Sequence, residues 1–504
     1  MSSTFFGLET ARRALTTQQS ALYTTGNNIA NANTEGYTRQ RVNFEQTSPY
    51  PPASRNREQI PGQMGTGVTA DSVQRIRDQF LDIQYRGENS KLGYYDSKAA
   101  AMRQMEDILN EPSEEGLSKV LDQFWQSLQD LAVNPEESGA RSVVRQRGIS
   151  VAETFKYMSS SLSSIRTDLE HELEVTKTEF NSLLSQLQGI NQQIGEIEPH
   201  GYLPNNLYDE RDILLDKLSS LANIKVSYVG SGGQPNAIAE GRASVELVGP
   251  SGASYNPPVM MLDGATNQVN QMTINFDNSL GQNAIGTIEI GGQTFSGANF
   301  TSKGKVQALI ESYGYIDNGV IKGEYPEMLD NLDKMAFEFA TEFNHIHKGG
   351  YDLNGTVGGD FFVVSANYSA TNLDVVQAIK DNGDLIAASN DTKSGDGGNA
   401  SDLANVLHTS LPNLGQNTTV KSFYESAIGE MAVITQEAIR QTNNADVLRQ
   451  QVEERRQSVS GVSLDEEMTN MIKFQHAYNA AARSMTAVDE MLDRIINQMG
   501  LVGR

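Results

Sequence analysis

The chain contains no cysteine, although it is 504 residues long. This absence excludes disulfide bonds, thiol nucleophiles and thiolate metal sites, so packing alone must stabilise the fold. It also suits export as an unfolded thread, because there are no thiols to cross-link. Tryptophan is nearly absent as well, and the single Trp125 lies beside Phe124 in an amphipathic pattern. That position favours a core anchor over a ligand platform.

Basic residues are scarce. The chain has 39 Lys and Arg against 63 Asp and Glu, a formal net charge of -24. Phosphate binding depends on clustered Lys and Arg, so we expect no nucleic-acid binding and no attraction to anionic membranes. No stretch approaches the about 18 consecutive apolar residues of a membrane span. The first residues lack the basic and apolar regions of a cleaved signal, so we expect neither membrane insertion nor Sec-type secretion.

Both ends of the chain carry a seven-residue apolar repeat that the middle lacks. The residues of this repeat are Leu8, Leu15, Leu22 and Ile29, and then Met471, Phe474, Tyr478, Ala481, Met485, Val488, Leu492, Ile495 and Met499. Such narrow stripes predict coiled-coil helices that need a partner helix. We expect the stripes to form a polymer interface between subunits and both ends to be mobile in the free chain. The alternative is that the two end helices pair within one chain.

Further helical patterns occupy 76–109, 117–133, 159–198, 329–346 and 428–452. Residues 223–320 instead show period-two alternation and a Gly291-Gly292 hairpin signal, which predicts a β-rich insertion. The last helix is expected to begin at Ser463, with Glu466 completing a capping box, and to end at Gly500.

These patterns predict a mainly α protein with a β-rich insertion, that is, an elongated α+β multi-domain chain with long terminal coiled-coil-type helices. Its domains are expected to be discontinuous, because the chain goes out and comes back. We expect a terminal helical polymerisation domain from 1–40 plus 463–504 and an extended connector at 41–70. A helical-bundle body would comprise 71–221 plus 321–462, and a β-rich outer domain 222–320.

No pattern indicates a catalytic, cofactor-binding or metal site. His345 and His347 are two apart on a helical segment and so point to different faces, which favours ordinary surface or core histidines over metal ligands. The stretch Asp352–Gly355 begins like a calcium loop, but it lacks the bidentate acid near its end, since position 363 is Val. We predict a turn there.

Residues at both ends carry a family resemblance. The run 21–40, with Asn28, Asn31 and Tyr37, resembles the amino-terminal signature of bacterial flagellar axial proteins, which include rod, hook and hook-associated subunits. The run from Ser463 through Leu492 resembles the paired carboxyl-terminal motif of the same family. Two motifs at opposite ends in the right order make a specific signal.

The interior indicates which branch of the family is closest. Residues 205–218 are similar to a segment of the hook-associated branch, and so are the stretches at 342–355 and 359–362. The length of the chain agrees, since rod subunits are much shorter. The resemblance is weak across the β-rich insertion.

The resemblance implies a non-enzymatic structural subunit that joins hook to filament. It would be exported by the type III apparatus, polymerise in a ring or helical tube outside the cell, and contact the hook protein and a second junction protein. It adds Asn28, Asn31 and Tyr37 to the predicted interface. It also implies an export chaperone on the carboxyl-terminal region, for which we select Met485, Leu492 and Ile495; Met485→Asp or Leu492→Asp should then impair both chaperone binding and assembly.

Two alternatives stay open at this point. Within the family, the chain could be the hook protein or another axial subunit, although residues 208–218 argue against it. From another class, an enzyme domain could be carried on a coiled-coil scaffold. That alternative requires a cleft within 222–320 where carboxylates of strongly raised pKa converge.

Overall fold

The structure is a computed structural model that describes residues 5–55, 62–109, 116–364 and 369–498. Its helices are α1 (Phe6–Ala30), α2 (Gln79–Leu109), α3 (Leu117–Val133), α4 (Ser138–Ile197), α5 (Asn205–Leu221), α6 (Lys305–Tyr313), α7 (Glu324–Gly349), α8 (Gln377–Asp381), α9 (Gly398–Asn405), α10 (Val420–Ser460) and α11 (Leu464–Asp493). Its strands are β1 (Gln40–Gln46), β2 (Val68–Arg75), β3 (Ile224–Val229), β4 (Arg242–Val248), β5 (Ser254–Asp263), β6 (Gln268–Val269), β7 (Thr273–Asp277), β8 (Ala284–Ile290), β9 (Gln293–Phe295), β10 (Tyr315–Asp317), β11 (Val320–Lys322), β12 (Phe362–Val363) and β13 (Asp374–Val375).

The predicted connector at 41–70 is wrong at both of its ends. β1 and β2 form an antiparallel pair whose register runs from Gln40 opposite Arg75 to Gln46 opposite Val68. Between the two strands, Tyr50 and Met64 form an isolated antiparallel bridge, and 56–61 lie outside the described residues. The prolines and glycines between the strands led to the prediction of an extended connector. The strands themselves were missed because each is stabilised by pairing with the other.

The body is organised around α4, which has 60 residues and begins at Ser138 rather than at the predicted 159. At about 1.5 Å per residue it is roughly 90 Å long. Gly148 interrupts the apolar pattern, but it is required inside the helix, because a Cβ there would lie 2.8 Å from the ring of Phe361. A close contact with a distant segment therefore explains a glycine that the pattern treats as a break.

The β-rich insertion forms two sheets. One is a meander in the order β3-β4-β5-β6, and the other runs β11-β10-β8-β7, with β9 also paired to β8. The predicted hairpin is confirmed, since Ile290 pairs with Gln293 and both Gly291 and Gly292 have positive φ. Such a two-residue turn requires φ above zero at both positions, which glycine permits.

Two asparagines of α4 hold the sheets against the helix. The Asn191 amide donates to the carbonyl oxygen of Ala243 at 2.7 Å and accepts from its N–H at 2.9 Å. Asn181 makes the same pair of bonds with Met272. Each amide thus satisfies backbone groups as a neighbouring strand would. One buried apolar cluster extends from Ala101 to Met431 through helices and sheets, so the insertion shares its core with the body, and the boundaries of the predicted outer domain stay a prediction.

His347 is a core residue with both ring nitrogens hydrogen-bonded. Nε2 accepts from the N–H of Ala387 at 2.9 Å, so Nδ1 carries the proton and donates to the carbonyl oxygen of Gly359 at 2.8 Å. Near it, Asp352 Oδ1 accepts from the N–H groups of Asn354 and Thr356, both at 2.8 Å. The predicted turn at Asp352–Gly355 is therefore confirmed.

At the carboxyl end, α10 and α11 are separated by 461–463. The Ser463 hydroxyl caps α11 by accepting from the N–H of Glu466 at 3.4 Å. The described chain continues past Asp493 as a π-helical turn, Arg494–Gln498; the predicted end at Gly500 and the interface residue Met499 lie outside the described residues. Among the described helices, none combines the length and the apolar content needed to cross a membrane.

The buried neutral His347 predicts an acid-labile core. Burial lowers its pKa to about 4 from the ordinary 6.5. A group whose pKa is depressed on folding stabilises the fold above its unfolded pKa and loses that contribution as pH falls through the folded pKa. About 3 kcal/mol should therefore be lost between pH 6.5 and 4.

Urea unfolding followed by Trp125 fluorescence would measure this effect, because Trp125 is adjacent to Phe124, whose ring lies 6.1 Å from that of Phe361, itself 5.6 Å from His347. His347→Gln should be less stable at pH 7 and should flatten this part of the profile. An unchanged slope in the variant would show that His347 is not the group responsible.

Candidate functional site

The two ends of the chain pair with each other. Gly7 of α1 lies against Val488 of α11, where a Cβ would come within 3.3 Å of its side chain. At the other end of α1 the Asn28 amide donates to Glu467 Oε2 at 3.0 Å. Residues 7 to 28 thus oppose 488 to 467, the same 21-residue interval on both helices. α1 and α11 form an antiparallel pair over about three heptads. We call α1, β1, β2 and α11 the terminal unit.

The predicted stripe on α11 is the face that packs in this unit. Its buried or half-buried members are Met471, Phe474, Ala481, Met485, Val488 and Leu492. The ring of Phe474 contacts Phe44 of β1 edge-on, with centroids 5.9 Å apart. Tyr478 and Ile495 are exposed. The periodicity therefore identified the right face, but the partner helix is in the same chain. The expectation that the stripes stay unpaired in a single chain is wrong for this structure.

On α1 the buried face is not the predicted line of leucines. Leu8, Leu15, Leu22 and Ile29 are half-buried along its flank. The buried residues are Ala11, Thr17, Ala21, Thr25 and Asn28. Small side chains let two helices approach closely, and Thr17 donates to the carbonyl oxygen of Val68 in the hairpin at 3.2 Å. Apolar periodicity could not show this face, because its members are small or polar.

Asn28 is the polar centre of the unit. Its Oδ1 accepts from the N–H of Gln40 at 3.0 Å and from the Tyr37 hydroxyl at 2.8 Å. Its amide also donates to the carbonyl oxygen of Gln40 at 2.8 Å. Burial, with Asp209 and Glu467 nearby, raises the pKa of Tyr37 to about 12. Asn28 and Tyr37, predicted as polymer interface, thus have internal partners, whereas Asn31 bonds locally to Asn27 near the surface. Contact of any of them with another subunit stays a prediction.

Arg39 fastens the loop after α1 to the start of α11. Its guanidinium pairs with Glu466 at 2.7 Å and with the buried Glu467 at 2.8 Å. The backbone N–H of Arg39 donates to the carbonyl oxygen of Ser460 at 2.9 Å. Only half of the predicted capping box therefore forms, because the Glu466 side chain binds Arg39 instead of returning to Ser463.

An ion network joins the terminal unit to the body. Among the described residues it contains five arginines, Arg75, Arg77, Arg86, Arg211 and Arg456, and six carboxylates, Asp82, Asp209, Asp212, Asp216, Glu240 and Glu453. These residues come from β2 and the residues after it, α2, α5, the loop before β4, and α10. We call this cluster the joint.

Asp212 lies at the centre of the joint. It contacts Arg75 at 3.0 Å, Arg77 at 3.3 Å and Arg86 at 3.3 Å. Burial opposes its charge, but the surrounding arginines outweigh burial and hold its pKa well below the ordinary value. Asp209 also pairs with Arg75, at 2.6 Å. There burial outweighs the arginine and raises the pKa. Asp212 is therefore the carboxylate whose charge the joint requires.

Sequence reasoning missed the joint. Asp209, Asp212 and Asp216 recur at three- and four-residue spacing and so lie on one face of α5. This acidic face indicated that α5 has basic partners, but the arginines that pair with it lie far away in sequence. No group of three or more His, Asp or Glu side chains able to hold a metal ion occurs among the described residues, the joint included.

The comparisons with family models agree with this arrangement. Residues 8–38 match the model described as flagella basal body rod protein, and 455–499 match the flagellar basal body rod FlgEFG protein C-terminal model. The two ends of the chain are therefore similar to segments of flagellar basal-body rod proteins. Residues 102–362, half of the chain, match the model of the flagellar hook-associated protein FlgK helical domain.

Whole-chain relatives identify the family. Flagellar hook-associated protein 1 of Bacillus subtilis is 50% identical over 512 residues and is covered completely, as is this chain. The protein of the same name from Escherichia coli is 23% identical, over 97% of this chain and 99% of its own length. The chain therefore belongs to the flagellar hook-associated protein 1 family, which confirms the branch indicated by the sequence.

A solved structure shows the same fold. The flagellar hook junction protein FlgK from Burkholderia pseudomallei superimposes with a TM-score of 0.58 at 15% identity, covering 75% of this chain and all of that one. The predicted mainly α fold with β insertions is confirmed by this likeness.

The joint can be tested with two neighbouring substitutions. Asp212→Asn leaves three buried arginines short of a charge and should cost about 3–5 kcal/mol of unfolding free energy. Asp209→Asn should cost less, because burial raises the pKa of Asp209, whereas the arginines lower the pKa of Asp212. Urea unfolding of both variants at pH 7 measures the difference; equal losses would contradict the assignment of Asp212 as the centre.

The pairing of the chain ends predicts that α1 and α11 gain and lose order together. In the isolated chain we expect amide-exchange protection in both helices. Ala21→Asp should abolish protection in α1 and α11 alike, because Ala21 is 1% exposed. Tyr23→Asp is the control, since Tyr23 is 80% exposed on the same helix. Exchange that remains slow in α11 of the Ala21 variant would contradict pairing.

Proposed function

We propose that the chain is the first hook-filament junction subunit, a structural protein that joins hook to filament and assembles through its terminal unit. The observation that carries this proposal is an apolar surface beside the α1–α11 seam. Leu464, Met468 and Ile472 recur every four residues on α11, and all are about half exposed. Because the seam itself is occupied by α1, this lateral surface is what α11 offers to a neighbouring subunit.

The geometry supports an open assembly. A head-to-tail interface that does not close generates a ring or helical tube, and long paired helices are suitable staves for its wall. The joint fixes the terminal unit on the body, so each subunit presents its lateral surface at a defined angle. The neighbours in this proposal are copies of the chain, the hook protein and the second junction protein, in the flagellum outside the cell.

In this proposal the type III apparatus exports the chain in an unfolded state. The lack of cysteine suits a thread that passes a narrow channel. Before assembly, a chaperone would bind the Met-rich segment formed by α11 and the turn after it, including Met485, Leu492 and Ile495. Ile495 is exposed in the folded chain, whereas Leu492 is buried against the unit. The proposed chaperone therefore binds α11 before it pairs with α1.

We further propose that the chain has no enzymatic activity. The alternative required converging carboxylates of raised pKa in 222–320. Asp263, in that segment, has instead a lowered pKa, because the N–H of Ala265 and the Thr266 hydroxyl donate to its carboxylate. Nucleic-acid binding and membrane insertion are likewise no part of the proposal, given the net charge of -24.

Genetic complementation tests the proposal. Cells lacking the gene should carry hooks without filaments and release flagellin into the medium. The double variant Met468→Asp/Ile472→Asp should fail to restore filaments, because it places charges on the lateral surface at two positions that are 52% and 56% exposed. Its purified monomer should keep the wild-type circular dichroism and unfolding midpoint.

Val175→Asp is the matched control, since Val175 is 68% exposed on α4 of the body. It should restore filaments and motility. Filaments on cells that carry the Met468/Ile472 variant would show that this surface is not an assembly interface. These positions separate assembly from folding better than Met485 or Leu492, which pack within the unit.

A further inference from the structure

A free sheet edge in the body faces a groove. β3 is the first strand of its sheet, and among the described strands its one partner is β4. Along its other side a groove of about 1030 Å³ separates β3 from the first half of α2. The walls include Ile83, Gly87 and Lys91 of α2 and the whole of 223–228, and Asp82, Arg86 and Glu240 of the joint lie at one part of the lining. A six-residue strand is about 20 Å long, so the groove is long enough for an extended peptide.

The register shows which backbone groups face the groove. The N–H of Val248 donates to the carbonyl oxygen of Asn223 at 3.1 Å, and this pair continues the register of Ile224 with Leu247. Residues 223, 225, 227 and 229 are therefore the hydrogen-bonded positions of the ladder. The N–H and C=O groups of Ile224, Val226 and Tyr228 point to the opposite side, and they have no hydrogen-bond partner among the described residues.

The side chains that line the groove determine which residues of a bound segment would be favoured. On the α2 wall, Ile83 is 65% exposed, and a Cβ at Gly87 would find no atom within 4 Å. Apolar side chains of an added strand could be buried there. On the other face of β3, the side chain of Lys225 is 57% exposed; it forms a long ion pair with Glu246, at 3.6 Å, and donates to the Ser254 hydroxyl at 3.4 Å. A residue directly opposite Lys225 on an added strand would be best as an acid.

We propose that this groove binds an extended segment of a partner protein, in which apolar residues alternate with acidic ones, as an added strand on β3. Main-chain hydrogen bonds to Ile224, Val226 and Tyr228 would hold it, Ile83 and Gly87 would receive its apolar side chains, and Lys225 would pair with its acids. Lys225 also rejects basic strands, which gives selectivity at an edge that would otherwise accept any strand. The site lies in the body and goes beyond the proposed assembly through the terminal unit.

A labelled octapeptide tests the proposal. Fluorescence anisotropy would follow binding of an alternating Val-Glu octapeptide to the full chain, with a Val-Lys octapeptide as the charge control. Gly87→Leu should fill the groove and weaken Val-Glu binding at least 10-fold. Lys225→Glu should reverse the preference between the two peptides. Lys393→Glu, at a side chain that is 81% exposed elsewhere, should change neither.

A second measurement locates the bound peptide. Amide exchange at Ile224, Val226 and Tyr228 should slow on addition of the Val-Glu octapeptide, whereas exchange at 225 and 227 should not change. Circular dichroism confirms that each variant is folded. Undiminished binding to folded Gly87→Leu, no preference for the acidic peptide, or no saturable binding up to about 1 mM would each overturn the proposal.

Discussion

The two ends of the chain must lie side by side, and the rest of the molecule follows from this constraint. α1 pairs antiparallel with α11, and near the joint Arg456 of α10 meets Asp82 of α2, so each layer combines an early segment with a late one. The chain must therefore travel out through α4 and the sheets and return through α7 and α10. The α1 side of the terminal pair is formed by alanine, threonine and asparagine, which bury little apolar area. The pair consequently depends on the hairpin and on the joint for its stability.

The joint compensates for the small apolar area buried between α1 and α11, but it requires charged groups to be buried. Burying charges is expensive, and replacing a buried ion cluster by apolar residues can be neutral or stabilising. Ion pairs instead determine the relative orientation of the elements, since each planar guanidinium forms its hydrogen bonds only with carboxylates at suitable positions. Here β2, α2, α5 and α10 must all be positioned for Asp212 to meet Arg75, Arg77 and Arg86 together. Two helices in apolar contact could shift by one helical turn and still bury their side chains. The ion pairs of the joint would be broken by such a shift, and so they fix the terminal unit relative to the body.

Sequence reasoning was most accurate where a local pattern decides the structure. The α11 stripe, the Gly291-Gly292 hairpin and the turn at Asp352 were predictable because periodicity or backbone geometry is contained in a few neighbouring residues. It failed where the partner lies far away. Phe361 explains why a glycine lies at position 148 inside α4, β1 pairs with β2, and Arg75 and Asp209 of the joint are 134 positions apart. The same limit explains why the stripe on α11 was recognised while its partner in the same chain was not.

Pairing of α1 with α11 also constrains any chaperone that binds the carboxyl-terminal helix. Met485 and Leu492 cannot contact α1 and a chaperone at once, so chaperone binding and folding of the terminal unit compete for one face. A ligand that binds only the unpaired state shifts the equilibrium by its own affinity and concentration. Because the α1 face is small and polar, the proposed chaperone would need only a larger apolar groove to bind α11 more tightly than α1 does. In the proposed assembly, α1 would take the same face after the chaperone is released, and the lateral surface with Met468 and Ile472 would then be available to neighbouring subunits in a defined orientation.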